Sequence, residues 1–147
     1  MEYHVFKKHL SPEAVAEVNK GGWSSLPECK AYADLFFIGD VEEAETKLLH
    51  AMIHGVFGHA AAYKIEDAEV TDGLEMIFKY ENDKAVPSVE LLFRRGSPFS
   101  SLSVGDIVHV SMPEGSKMFL CAPIGFEELS KDFGHAFDKL CHFTPYL

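Results

Sequence analysis

The first part of the chain alternates apolar and polar residues in a way that predicts a strand followed by a helix. The segment EYHVFK (2–7) alternates well enough to favour a strand. Ser11 and Pro12 then form a typical helix start, because serine caps a helix and proline is tolerated at its first position. Gly21 and Gly22 indicate where that helix ends.

A longer apolar pattern follows an aromatic segment. Residues 32–38 are apolar enough for a buried strand, or for a short helix followed by a strand. Asp40 and Glu43 form a capping box, which predicts the start of the clearest helix in the chain. Apolar residues then recur at helical spacing, and we expect a single helix to carry the whole stripe, namely Leu49, Met52, Ile53, Val56, Phe57 and Ala60.

The remaining pattern combines helix and strand signals. Residues 70–82 fit a helix with Asp72 and Glu75 as a capping box, although residues 76–80 also fit a strand; we favour the helix. Residues 88–95 alternate as a strand, and residues 102–125 predict a strand, a turn and a second strand. Ser130 precedes a last amphipathic helix.

These elements predict an α+β fold in a single domain of residues 1–147. We expect a mostly antiparallel sheet or half-barrel, built in the C-terminal half, to pack against two or three helices.

The segment SSLSVGDIVHV contains the clearest turn signal. Gly105 can adopt a positive φ, and the Asp106 side chain can bond the neighbouring backbone, so Val104-Gly105-Asp106 predicts a tight turn before a strand. We interpret Asp106 as a turn residue rather than a catalytic acid.

The order SLSVGDIV, a variable hairpin, CAPIGF and then acidic residues resembles a domain found widely in uncharacterised phage and plasmid proteins. The YodL-like group is its nearest named relative. The resemblance covers about residues 70–128 and implies an origin in a mobile genetic element. In that family a helix ending in asparagine precedes the turn, which also favours a helix over residues 70–82. The resemblance carries no activity and no catalytic residue to this chain.

Charge and composition narrow the classes of partner. The chain has 23 acidic and 13 basic residues and a net charge of −10. Such a surface repels phosphate backbones, so we expect no direct nucleic-acid binding and favour a partner with a basic surface. The N-terminal segment lacks the apolar core of a secretory signal, and no run of about 20 apolar residues predicts a membrane span. We therefore expect a cytoplasmic protein in the host cell interior.

Two groups of side chains are candidates for binding a metal or a small ligand, and a third, described below, is a candidate for binding a partner. His50 and His54 are four residues apart, a spacing that suits a metal, but the glutamate of an HExxH motif is absent. The pair Arg94 and Arg95 is suited to a phosphate or carboxylate ligand. The chain has no phosphate-binding or dinucleotide-binding motif, and we expect no cofactor.

The aromatic C-terminus is the candidate partner-binding site, comprising Phe133, Phe137, Phe143 and Tyr146. A docked, buried tail is the alternative for these residues. We favour a small acidic accessory protein that is not an enzyme and that binds a host protein, in defence evasion or host takeover; a homo-oligomer is compatible with this. The alternative is a small-molecule or metal-binding protein with a histidine-lined pocket, acting by sequestration or hydrolysis.

Overall fold

A computed structural model describes residues 1–82, 86–95 and 101–141. These residues form six strands and five helices in the following order: β1 (Glu2–Lys8), α1 (Pro12–Gly21), α2 (Pro27–Asp34), α3 (Val41–Ile53), β2 (Phe57–Ile65), α4 (Val70–Glu81), β3 (Val89–Arg94), β4 (Ile107–Met112), β5 (Gly115–Cys121), β6 (Phe126–Glu128) and α5 (Lys131–Cys141).

The strands form one open antiparallel sheet in the order β3-β2-β1-β4-β5-β6. The α+β class and the antiparallel sheet are confirmed. The sheet draws on both halves of the chain, because β1 and β2 occupy interior positions between strands of the C-terminal half. Five helices, rather than two or three, accompany it.

Helices cover both faces of the sheet, because successive side chains of a strand point to opposite faces. On one face, Phe6, Ile107 and Leu120 form a core with buried residues of α2, α3 and α5. On the other face, Tyr3, Val5 and the strand residues in register with them form a second core under Leu74 and Ile77 of α4.

One predicted helix is in fact a helix and a strand. The expected stripe through Val56, Phe57 and Ala60 is interrupted, because α3 ends at Ile53 and residues 57–65 form β2. Gly55 lies between them with a φ of 71°, a conformation that stops a helix and that glycine adopts freely. Small apolar residues such as those at positions 60–62 fit the spacing of a helix and of a strand equally well. They form a strand here because they pair with β1 on one side and β3 on the other.

Residues 32–38 also differ from prediction, whereas the capped helices agree with it. Residues 27–34 form α2, and no strand follows it before α3. The Asp40 side chain accepts a hydrogen bond from the Glu43 amide, at 2.8 Å, as the capping box predicts. The helix expected over residues 70–82 is confirmed as α4, but it begins at Val70, so Asp72 lies in its first turn rather than at its cap.

The turn before β4 is confirmed, and Asp106 is its organising residue. Its carboxylate accepts hydrogen bonds from the Ser103 and Lys8 amides, both at 2.9 Å, and the Lys8 ammonium lies 3.3 Å away. Burial raises the pKa of Asp106, and Lys8 opposes that rise. Gly105 has a φ of 93° and fits closely against the Leu35 carbonyl. The buried carboxylate thus joins the turn to β1.

A second buried lysine ties β1 to the helix on the opposite face. The Glu81 carboxylate of α4 accepts hydrogen bonds from the Lys7 ammonium and the Tyr63 hydroxyl, and all three residues are buried. Burial and the hydrogen bond to Glu81 raise the pKa of Tyr63. A buried ion pair becomes costly when one partner is removed, because the other charge is left without compensation.

Loss of the Glu81 carboxylate should therefore destabilise the protein strongly. We expect Glu81→Gln to lower the free energy of unfolding by about 3–5 kcal/mol in urea titration. The matched control is Asp34→Asn, which breaks the exposed pair with Lys30 and should cost less than about 1 kcal/mol. Equal effects of the two substitutions would contradict a structural role for the buried pair.

Two helical glycines differ in the space around them, so replacing each with alanine should have opposite effects on the stability of the protein. A Cβ on Gly73 of α4 would overlap the Tyr3 hydroxyl, whereas a Cβ on Gly134 of α5 would meet no atom within 4 Å. Alanine is favoured over glycine in a helix by about 1 kcal/mol, but overpacking a core costs about 1–3 kcal/mol. We expect Gly134→Ala to stabilise and Gly73→Ala to destabilise the protein in urea titration. A stabilising Gly73→Ala would show that Tyr3 does not pack against α4 as described.

Candidate functional site

The structure brings His50 and His54 together at the end of α3. Their ring centroids are 4.6 Å apart, with His50 exposed and His54 partly buried. His59, which the predicted helix would have carried, belongs to β2 instead. Within the described residues, no group of three or more histidine, cysteine, aspartate or glutamate side chains is placed to hold a metal ion.

The other two candidate groups lie in contrasting environments. Arg94 and Arg95 are exposed at the end of β3, and the Arg95 guanidinium lies 5.7 Å from the centre of the Phe93 ring. Phe133 and Phe137 are buried on the inner side of α5 and belong to the core, so in this structure they are not surface anchors for a partner. Phe143 and Tyr146 lie outside the described residues.

A second group of histidines, which the sequence analysis did not single out, also converges in the structure. His59, His4 and His109 form a row across β2, β1 and β4 on the face covered by α3 and α5. His4 Nδ1 and His59 Nε2 are 3.1 Å apart and share a hydrogen bond. The ring centroids of His4 and His109 are 6.3 Å apart, and strand register places the two residues directly opposite each other.

Burial keeps these imidazoles neutral near neutral pH. Loss of hydration, with a smaller contribution from His109, lowers the pKa of His4 to about 4. The pKa of His59 is also lowered to about 4, chiefly by burial and then by His4 and Arg95. Burial lowers the pKa of His109, although Asp138 opposes that shift.

A cleft of about 400 Å³ lies beside this row, between the β4–β5 hairpin and α5. His109 and Met118 line it from the sheet, and His135 and Asp138 line it from the helix. Neither His50 nor His54 lines this cleft, so the histidines predicted to form a pocket are not the ones found here.

A group of carboxylates lies on the other side of the sheet, around the start of α4. Residues 66–75 contain five acidic residues and no basic one, and all five side chains are exposed: Glu66, Asp67, Glu69, Asp72 and Glu75. Glu66 pairs with Lys64 at 3.3 Å. The helix N-terminus is electropositive, so carboxylates are favoured there for stability as well.

An apolar groove of about 270 Å³ continues from these carboxylates along α4. Glu75, Phe78 and Lys79 of α4 form one wall, and four residues of the CAPIGF motif form the other: Ala122, Pro123, Gly125 and Phe126. The Phe78 and Phe126 rings meet edge to face at 6.4 Å, yet Phe78 stays 42% exposed. Ile124 is 93% exposed.

We call these two parts together the acidic–apolar surface: the five carboxylates of residues 66–75, and the groove lined by Phe78, Pro123 and Phe126 together with the exposed Ile124 that follows Pro123 in the chain. The sequence signal for its acidic part was present in the run of residues 66–75. Its apolar part joins segments that are more than forty positions apart in the chain, so only the fold reveals it.

Comparison with known proteins adds no family and no relative to the description of the fold and these surfaces. No protein-family model, no curated protein and no solved structure matches the chain. None of the helices in the described residues is long and apolar enough to cross a membrane. The chain is an α+β protein, and its described residues form an open, six-stranded antiparallel sheet.

The histidine row, in which His4 and His109 are buried and His59 is partly buried, predicts a loss of stability in acid. The unfolded chain, with histidine pKa values near 6.5, binds protons before the folded chain does, because the folded values of His4 and His59 are about 4. Their contribution to stability is therefore intact above about pH 7 and falls as the pH drops from 6.5 towards 4, by about 1.4 kcal/mol for each unit of pKa difference.

Urea titration between about pH 7 and pH 5 measures this effect. We expect His4→Gln to make the free energy of unfolding less dependent on pH than in the wild type. The control is His50→Gln, which replaces an exposed imidazole outside the row, and His4→Gln should change the slope more than this control does. An unchanged slope in His4→Gln would refute burial of a neutral imidazole at this position.

Proposed function

We propose that this protein is a non-enzymatic binding protein that engages a basic host protein through the acidic–apolar surface. The observation that carries the proposal is that five exposed carboxylates, in and just before the first turns of α4, adjoin an apolar groove, with Glu75 lining both. Interfaces of this kind combine apolar anchors, which supply affinity, with complementary charge, which supplies orientation and partner choice.

The two parts of the surface have distinct physical roles. Phe78 and Ile124 expose apolar surface to water. Burying this surface against a partner is favourable because of the hydrophobic effect. The carboxylates around Glu69 and Asp72 attract a cationic partner and accelerate encounter, with a strength that falls as salt is added. An acidic surface also disfavours nucleic acid as the partner.

The resemblance of residues 70–128 to a domain of phage and plasmid proteins supports a host protein as the target. Residues 70–128 contain α4 and the CAPIGF segment, and these two form the walls of the groove. A mobile element depends on host proteins, and the cell interior is where they would meet; defence evasion and host takeover are the settings we infer.

The alternative hypothesis, a small-molecule site lined by histidines, would apply to the cleft beside His109. The acidic–apolar surface is the better supported candidate. It gathers five of the 23 acidic residues, and it exposes apolar side chains that nothing in the described chain covers fully.

Charge reversal on the surface tests the proposal. We expect the triple variant Glu69→Lys, Asp72→Lys and Glu75→Lys to lose a partner that the wild type retains in pull-downs from host lysate, because it repels a basic surface. The control carries the same charge change elsewhere: Glu13→Lys, Glu42→Lys and Glu114→Lys. Two of these control positions also lie in first turns of helices, so the helix-dipole effect is matched in kind.

The readout is the identity and amount of retained protein at increasing salt, after circular dichroism has shown that both variants are folded. We expect the control to behave as the wild type, and the wild-type complex to weaken as salt rises from about 0.05 to 0.5 M. A partner retained equally by the triple variant would refute the proposal.

A further inference from the structure

We propose that the partner binds as an added strand along β6, with basic side chains, extending the sheet to a seventh strand. This inference rests on the proposed function and specifies the mode of binding at the same surface. Strand addition to an exposed sheet edge obtains affinity from backbone hydrogen bonds and selectivity from alternate side chains.

The hydrogen-bond pattern shows which backbone groups of β6 are directed outwards. The Ala122 amide donates to the Gly125 carbonyl at 2.9 Å, and the Leu129 amide donates to the Met118 carbonyl at 2.8 Å. Bonding alternates along an antiparallel pair, so residues 125, 127 and 129 face β5. The N–H and C=O groups of Phe126 and Glu128 therefore point away from β5. Among the described strands, none lies beyond β6.

The apolar groove lies next to this edge, on the side that an added strand would need. Phe126 packs against Phe78 of α4, and Phe78 remains 42% exposed. A strand beside β6 would direct every second side chain towards α4. An apolar side chain in that position would cover the open side of Phe78 and fill the groove.

Charge at the edge selects between possible strands. Glu127 and Glu128 are exposed on β6, and Glu128 lies 3.5 Å from Lys117. Carboxylates on an edge strand discourage pairing with a second copy of the same edge, because like charges would lie opposite each other. The same carboxylates favour a strand that carries lysine or arginine.

The opposite edge of the sheet, at β3, does not favour a basic strand in this way. Along β3, Glu90 and Arg94 have opposite charges, and the exposed apolar residues Leu91 and Leu92 lie between them. An acidic edge that adjoins an apolar groove is thus found at β6 and not at β3. We therefore place the basic strand at β6.

The direct test uses a synthetic peptide of about seven residues that alternates lysine with valine, a length typical of a strand. Titration into isotopically labelled protein should shift the backbone amide signals of β6 and slow hydrogen exchange at the Phe126 and Glu128 amides. A peptide that alternates glutamate with valine should not bind, and nor should the lysine peptide with N-methyl groups on the amides that face β6.

A proline substitution separates backbone pairing from charge. In Glu128→Pro the removed N–H is one that β5 does not use, and Glu128→Ala is the matched control, since it also removes the carboxylate. We expect the proline variant to bind the lysine peptide about tenfold more weakly than the alanine variant, the effect of losing one hydrogen bond. Hydrogen exchange with the N-methylated peptide provides the same test on the wild type if the proline variant does not fold.

The outcomes distinguish strand addition from the broader proposal. Equal affinities of the proline and alanine variants, or no protection at Phe126 and Glu128, overturn strand addition. So does the absence of any binding by the lysine peptide. The host-lysate experiment with the triple lysine variant then decides separately whether the acidic–apolar surface binds a partner in another way.

Discussion

The complete burial of β1 is the constraint on which the rest of the structure depends. From Tyr3 to Lys8 every side chain of this strand is buried, including two lysines. Each ammonium needs a carboxylate, and the two are supplied from different parts of the fold: Glu81 at the end of α4 and Asp106 in the turn before β4. The two ion pairs thereby fix the central strand against one helix and one turn.

The two faces of the sheet differ in how they are packed and in what they expose. One face packs against three helices and holds a row of neutral imidazoles, whose burial is tolerated because each ring can stay uncharged. The other face is covered by α4, which leaves Phe78 partly exposed and presents carboxylates at its start. The second face is better suited to binding a partner, because apolar side chains and carboxylates are both exposed to solvent there.

Sequence reasoning succeeded where the signal was local. Asp40 and Ser130 cap their helices through bonds to residues three positions away, and Asp106 organises a turn within its own segment. It failed for residues 56–60, where Val56, Phe57 and Ala60 continue the helical spacing of α3 although the neighbouring strands draw residues 57–65 into the sheet. The histidine row escaped detection because His4 and His109 are more than a hundred positions apart, and only strand register places them opposite each other.

The amino-acid sequence by itself determined the α+β class, the capped helices, the turn at Gly105 and the acidic balance, since each follows from interactions between near neighbours or from composition alone. The tertiary structure decided which residues share an environment. It buried Phe133 and Phe137, joined the segment after β5 to α4 in one groove, and left β6 at an edge. Such outcomes depend on the packing of distant segments, whose relative positions are not encoded in any local pattern.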